Sequence, residues 1–210
     1  GTVKWLKTQC KKHPHYQLII NKMNKGFAVG CNQGMEAASG EYILLLNNDV
    51  IVTENWLRGM LDCLKTDEKS GIVGPMTNNI SGPQRVPIVP YKTVETLPAY
   101  AEWFYRTHRH RRILNQRIVG FCMLFHRKLF ENIGGLDATF GTGNYEDDDF
   151  CLRSVLHGYH NYIAADVFIH HFGSRSFIGN RIDYNDLLNN NKAHFLDKWN
   201  AVKPDDPLFE

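Results

Sequence analysis

The chain has 210 residues, of which 43% are hydrophobic and 22% charged, and its net charge at pH 7 is +2. This length and composition predict one globular domain with a substantial buried core. The small net charge gives no global attraction to nucleic acid, and no apolar run is long enough to predict a membrane-spanning helix. Five scattered cysteines without a CxxC pair predict reduced thiols and a cytoplasmic protein. A peripheral position at the inner membrane face is the alternative expectation for its location.

Hydrophobic spacing predicts alternating helices and strands in the first half of the chain. We predict helices over residues 2–10, 31–39 and 57–64, and strands over residues 16–20, 42–46 and 71–74. The run at 42–46 is continuously apolar, which is typical of a strand covered on both faces. The alternation favours a mostly parallel α/β sheet flanked by helices.

The second half of the chain has a less regular pattern. A proline-rich segment over residues 75–98 predicts a long surface loop. After it we predict helices over residues 99–109, 127–133 and 186–199, and strands over residues 118–125, 162–164 and 167–170. The sequence therefore predicts an α/β half followed by a mixed half, within a single domain over residues 1–210.

Three polar residues follow the predicted strand at 42–46. Asn47, Asn48 and Asp49 come directly after its last leucine. Parallel α/β sheets bind ligands beyond the carboxyl ends of their strands, and a carboxylate in that place suits Mg²⁺ or Mn²⁺. The alternative interpretation is an ordinary loop start, because Asn and Asp favour turns.

Four consecutive acids, from Glu146 to Asp149, form the second candidate cluster. Adjacent carboxylates repel one another, which raises the pKa of some of them and makes one a usable general base. The alternative is the first turn of a helix, where acids offset the helix dipole and Asp149 pairs with Arg153 four residues later. Four acids exceed what capping requires, so we favour a functional role for part of the cluster.

Two histidines, His170 and His171, end the predicted strand at 167–170 and form the third candidate cluster. A neutral imidazole can bind Mn²⁺ or Zn²⁺, although a histidine at a strand end is more often structural. Neighbouring side chains in a strand point to opposite faces, so at most one of the two belongs to a shared site. A stretch suited to contacting phosphate follows them: Gly173, Ser174 and Ser176.

Taken in order, these segments resemble the family 2 glycosyltransferases, which are inverting enzymes with the GT-A fold, a relative of the Rossmann fold. The matching segments are 24–28 (NKGFA), 32–34 (NQG), 40–49 (GEYILLLNND), 134–137 (GGLD), 145–153 (YEDDDFCLR), and the residues His170, Gly173 and Ser176. The resemblance spans nearly the whole chain. It implies transfer of a sugar from a nucleotide-diphosphate sugar to a hydroxyl of a glycan or lipid-linked glycan.

On the donor side, the resemblance implies a site for Mn²⁺ or Mg²⁺. Asp49 would be its carboxylate ligand and His170 would complete it, with His171 as the alternative that spacing leaves open. Four asparagines fall in the nucleotide and donor motifs: Asn24, Asn32, Asn47 and Asn48. These motifs lie in residues 1–74, which we interpret as a partial nucleotide-binding half.

On the acceptor side, the resemblance makes Asp147 the catalytic base, with Glu146 beside it in contact with the acceptor or donor sugar. Gly135, Leu136 and Asp137 of the GGLD segment would shape the acceptor pocket. Residues 75–210 are therefore interpreted as the acceptor-binding half.

The beginning of the chain departs from the family pattern. Its first residues resemble the end of the loop that follows the family's second strand, so we expect two sheet strands to be absent. An open sheet edge exposes unpaired backbone and apolar surface, which predicts self-association. Two alternative functions stay open: a non-catalytic glycosyltransferase-like module for assembly or sugar binding, and a metal-dependent nucleotidyltransferase or phosphohydrolase.

Overall fold

The computed structural model of the protein describes residues 1–173 and 184–200. Its strands are β1 (Tyr42–Leu46), β2 (Val50–Ile51), β3 (Ser70–Met76), β4 (Arg112–Leu114), β5 (Cys122–His126), β6 (His160–Phe168) and β7 (His170–His171). Its helices are α1 (Thr2–Lys12), α2 (Phe27–Ala37), α3 (Trp56–Leu64), α4 (Leu97–Thr107), α5 (Arg127–Ile133), α6 (Glu146–Leu156) and α7 (Tyr184–Lys198). No helix in these ranges is long and apolar enough to cross a membrane.

Five strands form the central sheet in the order β1-β5-β3-β6-β4, and β2 pairs with β7 in a separate ribbon. β1 and β3 are both antiparallel to β5, and β6 is parallel to β3. β1, β3 and β6 therefore run in the same direction, so their carboxyl ends lie at the same edge of the sheet. The two predicted halves of the chain share this sheet, because β5 lies between β1 and β3.

Helices cover both faces of the sheet. On one face, α2, α5 and α6 contribute Met35, Leu129 and Phe150 to a core that also contains Phe125 of β5. On the other face, α3 packs Met60 and Cys63 against the sheet, and α4 adds a smaller aromatic cluster. Alternate residues of the strands serve the two layers, which is the period expected of a sheet buried on both sides.

The mixed α/β fold confirms the predicted class, but two details of the prediction are wrong. The sheet is not mostly parallel, because β5 enters between β1 and β3 in the opposite direction and only the β3–β6 pairing is parallel. Residues 16–20 form no strand, and Ile19 and Ile20 are about half exposed. Within residues 1–173 and 184–200 no strand pairs with them, and an isolated extended segment lacks the backbone hydrogen bonds that stabilise a strand.

One edge of the sheet is open within the described residues. The Asn47 amide donates to the Phe121 carbonyl, so alternate residues such as Leu44 and Leu46 direct their backbone groups away from β5. Beside this edge lies a groove of about 320 Å³, lined on its helical side by Phe27, Cys31 and Met35 of α2.

Candidate active site

The predicted polar residues meet at one edge of the sheet. The segments that follow β1, β3 and β6 are residues 47–49, 77–79 and 169–171, and they share this edge because the three strands run in the same direction. β5 runs the opposite way and begins here, which adds Gly120 and Phe121. The sheet topology therefore brings four distant stretches of sequence together.

Asp49 lies against His171 at this edge. β2 pairs with β7 so that Val50 is opposite His171, and the Phe172 amide donates to the Asp49 carbonyl at 3.0 Å. This pairing places His171 Nε2 3.3 Å from Asp49 Oδ1, and 11% and 14% of the two side chains are exposed. The two residues form a partly buried acid–imidazole pair.

The hydrogen bond of His171 Nδ1 orients its second nitrogen, Nε2, toward the Asp49 carboxylate. Nδ1 lies 2.9 Å from the Asn79 carbonyl oxygen, which can only accept, so Nδ1 carries the proton. In the neutral ring Nε2 then presents a lone pair, and this buried atom has no hydrogen-bond partner. A metal ion bound between this lone pair and the Asp49 carboxylate would have a protein ligand from each residue.

Asp49 and His171 are suited to hold a divalent metal ion whose remaining ligands include phosphate oxygens. A carboxylate and an imidazole are both accepted ligands of Mn²⁺. Among residues 1–173 and 184–200, no group of three or more His, Cys, Asp and Glu could hold a metal ion. Two protein ligands leave the other coordination positions to oxygens of water or of a bound diphosphate, which is the usual arrangement for Mg²⁺.

His170, which we predicted as the second metal ligand, faces away from Asp49. Its Nδ1 lies 2.6 Å from the Tyr91 hydroxyl. The one-residue difference matters because neighbouring side chains in a strand point to opposite faces, and the β2–β7 pairing turns His171 toward Asp49. Two further residues predicted for this segment lie outside the described ranges: Ser174 and Ser176.

Two asparagines that the sequence analysis missed support His171. Asn78 Oδ1 accepts from the His171 amide at 2.9 Å, and the Asn79 carbonyl accepts from the ring. Gly173 has φ 71°, and a Cβ there would lie 2.4 Å from the Asn79 side-chain nitrogen, so glycine is required. The asparagines follow β3 closely, and this polar end of a strand is the signal that singled out residues 47–49.

Two of the four acids at the start of α6 have basic partners. Asp149 is fully buried and receives hydrogen bonds or ion pairs from three side chains: Arg153, Lys198 and Trp199. Asp148 Oδ1 pairs with Arg117 Nε. Burial, followed by the nearby charge of Asp147, raises the pKa of Asp148 to about 6, although Arg117 opposes the shift. Asp148 and Asp149 are therefore paired acids in the first turn of a helix, which was the structural alternative to a catalytic role.

The other two acids, Asp147 and Glu146, differ in their surroundings. Asp147 Oδ2 accepts from the Gly120 amide at 2.7 Å, and Oδ1 accepts from the Asp148 amide at 3.0 Å. Glu146 is 5% exposed, and its Oε2 has no hydrogen-bond partner. Burial, with the charge of Asp147 adding to it, raises the pKa of Glu146 to about 8. At neutral pH Glu146 is therefore protonated and adds no like charge beside Asp147.

The chain enters α6 through a strained turn. Asn144 and Tyr145 have φ 76° and 73°, a left-handed conformation that is uncommon for residues other than glycine. The side-chain nitrogen of Asn191, from α7, lies within 3.0 Å of three carbonyl oxygens of this turn: those of Phe140, Gly143 and Asn144. Such strain persists only where surrounding contacts hold it, and it is frequent at functional sites.

Asn32, which we predicted on the donor side, instead holds the GGLD segment. Its side-chain amide donates to the Leu136 carbonyl and accepts from the Leu136 amide, both at 2.8 Å. A Cβ at Gly135 would lie 2.4 Å from Asn32 Oδ1, so only glycine allows this approach. Both polar atoms of the Asn32 side chain bond to the backbone of Leu136, so Asn32 positions the predicted acceptor segment.

Asp137, predicted in the acceptor pocket, is also engaged within the protein. Lys198 Nζ lies 2.6 Å from Asp137 Oδ2, and the Thr139 amide donates to Oδ1 at 2.9 Å. Although burial opposes the shift, hydrogen bonds from Lys198 and Thr139 lower the pKa of Asp137 to about 2. The carboxylate therefore anchors α7 beside the GGLD segment.

The other asparagines predicted for the donor side lie in two places. Asn47 and Asn48 share the sheet edge with Asp49; the Asn47 amide is bonded to Phe121, and Asn48 is exposed. Asn24 Oδ1 accepts from the amide two residues later at 2.9 Å, in the turn before α2. Asn47 and Asn48 therefore lie at the same edge as Asp49, whereas Asn24 closes a local turn.

Two solved structures share the fold of this chain. The mannosyltransferase PcManGT from Pyrobaculum calidifontis, in complex with GDP-Man and Mn²⁺, is 17% identical with a TM-score of 0.64 over 100% of this chain and 54% of that one. GalNAc-T7, in complex with UDP, GalNAc and Mn²⁺, is 14% identical with a TM-score of 0.62 over 95% of this chain and 43% of that one. The chain spans about half the length of these proteins.

The family follows from the sequence. Glycosyl transferase family 2 matches residues 1–134, which is more than half of the chain. The protein therefore belongs to glycosyltransferase family 2, as its motifs predicted. No curated protein matches the chain. Family and fold support sugar transfer as the reaction class of the domain.

Proposed function

We propose that the protein transfers a sugar, with inversion, from a nucleotide-diphosphate sugar to a hydroxyl of a glycan or lipid-linked glycan, with Mn²⁺ or Mg²⁺ as cofactor. One observation carries the proposal. The Gly120 amide holds Asp147 at 2.7 Å, and the ring of the next residue, Phe121, stacks on His171 with 5.0 Å between centroids. The candidate base and the candidate metal pair therefore flank one peptide unit. The complexes of PcManGT with GDP-Man and Mn²⁺, and of GalNAc-T7 with UDP, GalNAc and Mn²⁺, support a nucleotide-sugar donor and a divalent metal.

The residues of this site divide the chemistry between them. Asp49 and His171 would hold the divalent ion, which when bound offsets the charge on the departing nucleoside diphosphate. Asp147 takes the proton from the acceptor hydroxyl as its oxygen attacks the anomeric carbon opposite the leaving group. One displacement without a covalent intermediate inverts the configuration at that carbon. Neutral Glu146 contacts the acceptor or donor sugar without adding charge beside the base.

Replacing His171 by alanine is expected to abolish most of the metal-dependent nucleotide binding. Loss of a group that merely supports a metal ligand weakens metal affinity by about 10- to 100-fold, so loss of the ligand itself costs at least as much. Calorimetric titration of UDP and GDP in the presence of Mn²⁺ measures the effect. His170→Ala is the matched control, because it leaves Asp49 and His171 in place, and it should bind like the wild type. If His170→Ala loses more nucleotide binding than His171→Ala, the metal ligand is His170 and the assignment to His171 is wrong.

We also propose that the open edge of β1 pairs with a second copy of the chain. Leu44 and Leu46 direct backbone groups outward, and the apolar groove lies beside them. Edge strands with free backbone groups template such pairing, and a lysine on the edge discourages it. We expect a concentration-dependent dimer by sedimentation velocity, and a monomer for Leu46→Lys, whose wild-type side chain is already 41% exposed. A wild-type chain that stays monomeric at all concentrations contradicts this proposal.

A further inference from the structure

The loop over residues 77–93, between β3 and α4, touches both sides of the proposed active site. Near its start, Asn78 and Asn79 bind the backbone and ring of His171. Two residues later, Ser81 Oγ accepts from Arg117 Nη1 at 3.0 Å. The same loop therefore reaches the metal pair and a basic side chain on the acceptor side.

Arg117 uses two of its nitrogens in different directions. Nη1 binds the loop at Ser81, while Nε pairs with Asp148 Oδ1 in the first turn of α6. Asp148 directly follows Asp147, the proposed base, and its amide donates to Asp147 Oδ1 at 3.0 Å. A planar guanidinium can hold two acceptors in a fixed geometry, which a single ammonium cannot.

We propose that Arg117 is a positioning residue for sugar transfer, which fixes Asp147 at the start of α6 relative to the loop that supports His171. The inference rests on the proposed function and deepens it. Arg117 touches neither the metal pair nor Asp147 through its side-chain hydrogen bonds, so it acts through Asp148 and Ser81.

The fold does not depend on this contact alone. Gln84 is buried and joins the same loop to the segment before β5, since its side chain accepts from the Val119 amide at 2.8 Å and donates to the Pro75 carbonyl at 2.9 Å. Gln84 therefore keeps the loop attached when Arg117 is replaced. What is lost is the alignment between the loop and the first turn of α6.

Charge reinforces the positioning role. The groups that face Asp148 are Glu146 and Asp147 on its own helix, the Cys151 thiol one turn later, and Arg117 from the segment before β5. Arg117 is the cation among them. Glu146 is protonated and the Cys151 thiol is neutral, so the like charges that remain without Arg117 are the adjacent carboxylates of Asp147 and Asp148, and the first turn should shift to separate them.

The test uses Arg117→Ala, Arg117→Lys and Ser81→Ala, with Arg106→Ala as the matched control. Arg106 pairs with Glu102 on the exposed surface of α4, at 2.7 Å. A misplacement of about 1 Å can cost roughly 100-fold in rate, so we expect Arg117→Ala to lower kcat by about 10- to 100-fold with little change in the KM for the donor. Ser81→Ala should have a smaller effect of the same kind. Arg117→Lys should restore kcat only in part.

Amide hydrogen exchange gives a second measurement that does not need turnover. Arg117→Ala should speed exchange over residues 77–82 and 146–149 together, and Arg106→Ala should leave both unchanged. Unchanged exchange in Arg117→Ala overturns the inference, whether or not the wild type transfers sugar. The inference is also overturned if Arg117→Lys has the kcat of the wild type and Ser81→Ala has no effect on kcat. The positive charge of residue 117 alone would then explain its role. If the wild-type protein transfers no sugar, the proposed function is contradicted. The hydrogen-exchange result then still decides whether Arg117 connects the loop to the first turn of α6.

Discussion

Asp147→Asn is expected to lose sugar transfer by about 100- to 10,000-fold, the usual contribution of a positioned general base. Asparagine keeps the size of the side chain and one oxygen for the Gly120 amide, but it cannot take a proton from the acceptor. Asp147 also accepts from the Asp148 amide through Oδ1, and the side-chain nitrogen of asparagine cannot accept this hydrogen bond, so its loss costs about 1 kcal/mol of stability. The loss of transfer should therefore far exceed any loss of folding.

Nucleotide binding is the control for this variant. The Asp49–His171 pair contacts Phe121 and Asn79, not Asp147, so Asp147→Asn should bind UDP or GDP with Mn²⁺ like the wild type. Transfer from a panel of UDP-, dTDP- and GDP-sugars to hydroxyl acceptors measures the rate. If transfer survives in Asp147→Asn, the base is another group, and Glu146→Gln is the next variant to assay.

The same assay separates the alternative functions. A wild-type protein that binds nucleotide and metal but transfers to no acceptor is a non-catalytic module. Release of nucleotide or phosphate without glycoside formation indicates a phosphohydrolase. The sugar transferase differs from both in forming a glycosidic bond with inverted configuration, which NMR of the product reads directly.

Asn161→Ala is expected to have the largest effect on stability. The side chain of Asn161 is 1% exposed and joins four buried groups. Oδ1 accepts from the Ile72 amide at 3.0 Å and from Ser154 Oγ at 2.9 Å. Nδ2 donates to the Gln116 carbonyl at 2.8 Å and to the Cys151 carbonyl at 3.2 Å.

The position of Asn161 explains why the loss cannot be repaired locally. The register between β3 and β6 shifts between Ser70 and Val73, and the side chain of Asn161 takes the place of the missing backbone partner of Ile72. Leaving several buried polar groups unpaired costs on the order of 3–5 kcal/mol, a large part of the stability of a typical domain.

Urea unfolding measures this loss. Asn132→Ala is the control, because Asn132 is exposed and makes one side-chain bond, to the Tyr159 hydroxyl at 2.6 Å. It should change the free energy of unfolding by no more than about 0.5 kcal/mol. A loss below about 1 kcal/mol in Asn161→Ala would mean that water replaces the asparagine, contrary to the buried network described.

Local patterns predicted the elements that depend on local chemistry. β1 and α5 have the predicted bounds, because a continuous apolar run defines β1 and Gly134, with φ 77°, ends α5. The strand predicted over residues 16–20 has the right composition, but a strand also needs a neighbour, and no strand of the described part of the chain pairs with it. Sequence pattern alone does not show which strands become neighbours.

The residues of the candidate site were likewise predictable from local motifs, whereas their contacts with distant segments were not. Motif order placed Asp49 and Asp147 in segments that the sheet topology does bring together. The choice between His170 and His171 depended on the register of the β2–β7 pairing, where a shift of one residue reverses the faces. The supporting roles of Asn32 and Asn78 depend on backbone groups far away in sequence, which no local pattern reveals.

We propose that Asp49 and His171 hold a divalent ion against the diphosphate of a sugar nucleotide. Calorimetric titration of UDP, dTDP and GDP into the protein, with Mn²⁺ and then with EDTA, tests it most directly. We predict that at least one nucleotide binds with Mn²⁺, that EDTA abolishes the binding, and that Asp49→Asn removes it in the presence of the metal. Nucleotide binding that is equally strong in EDTA, or that Asp49→Asn leaves unchanged, would contradict the account.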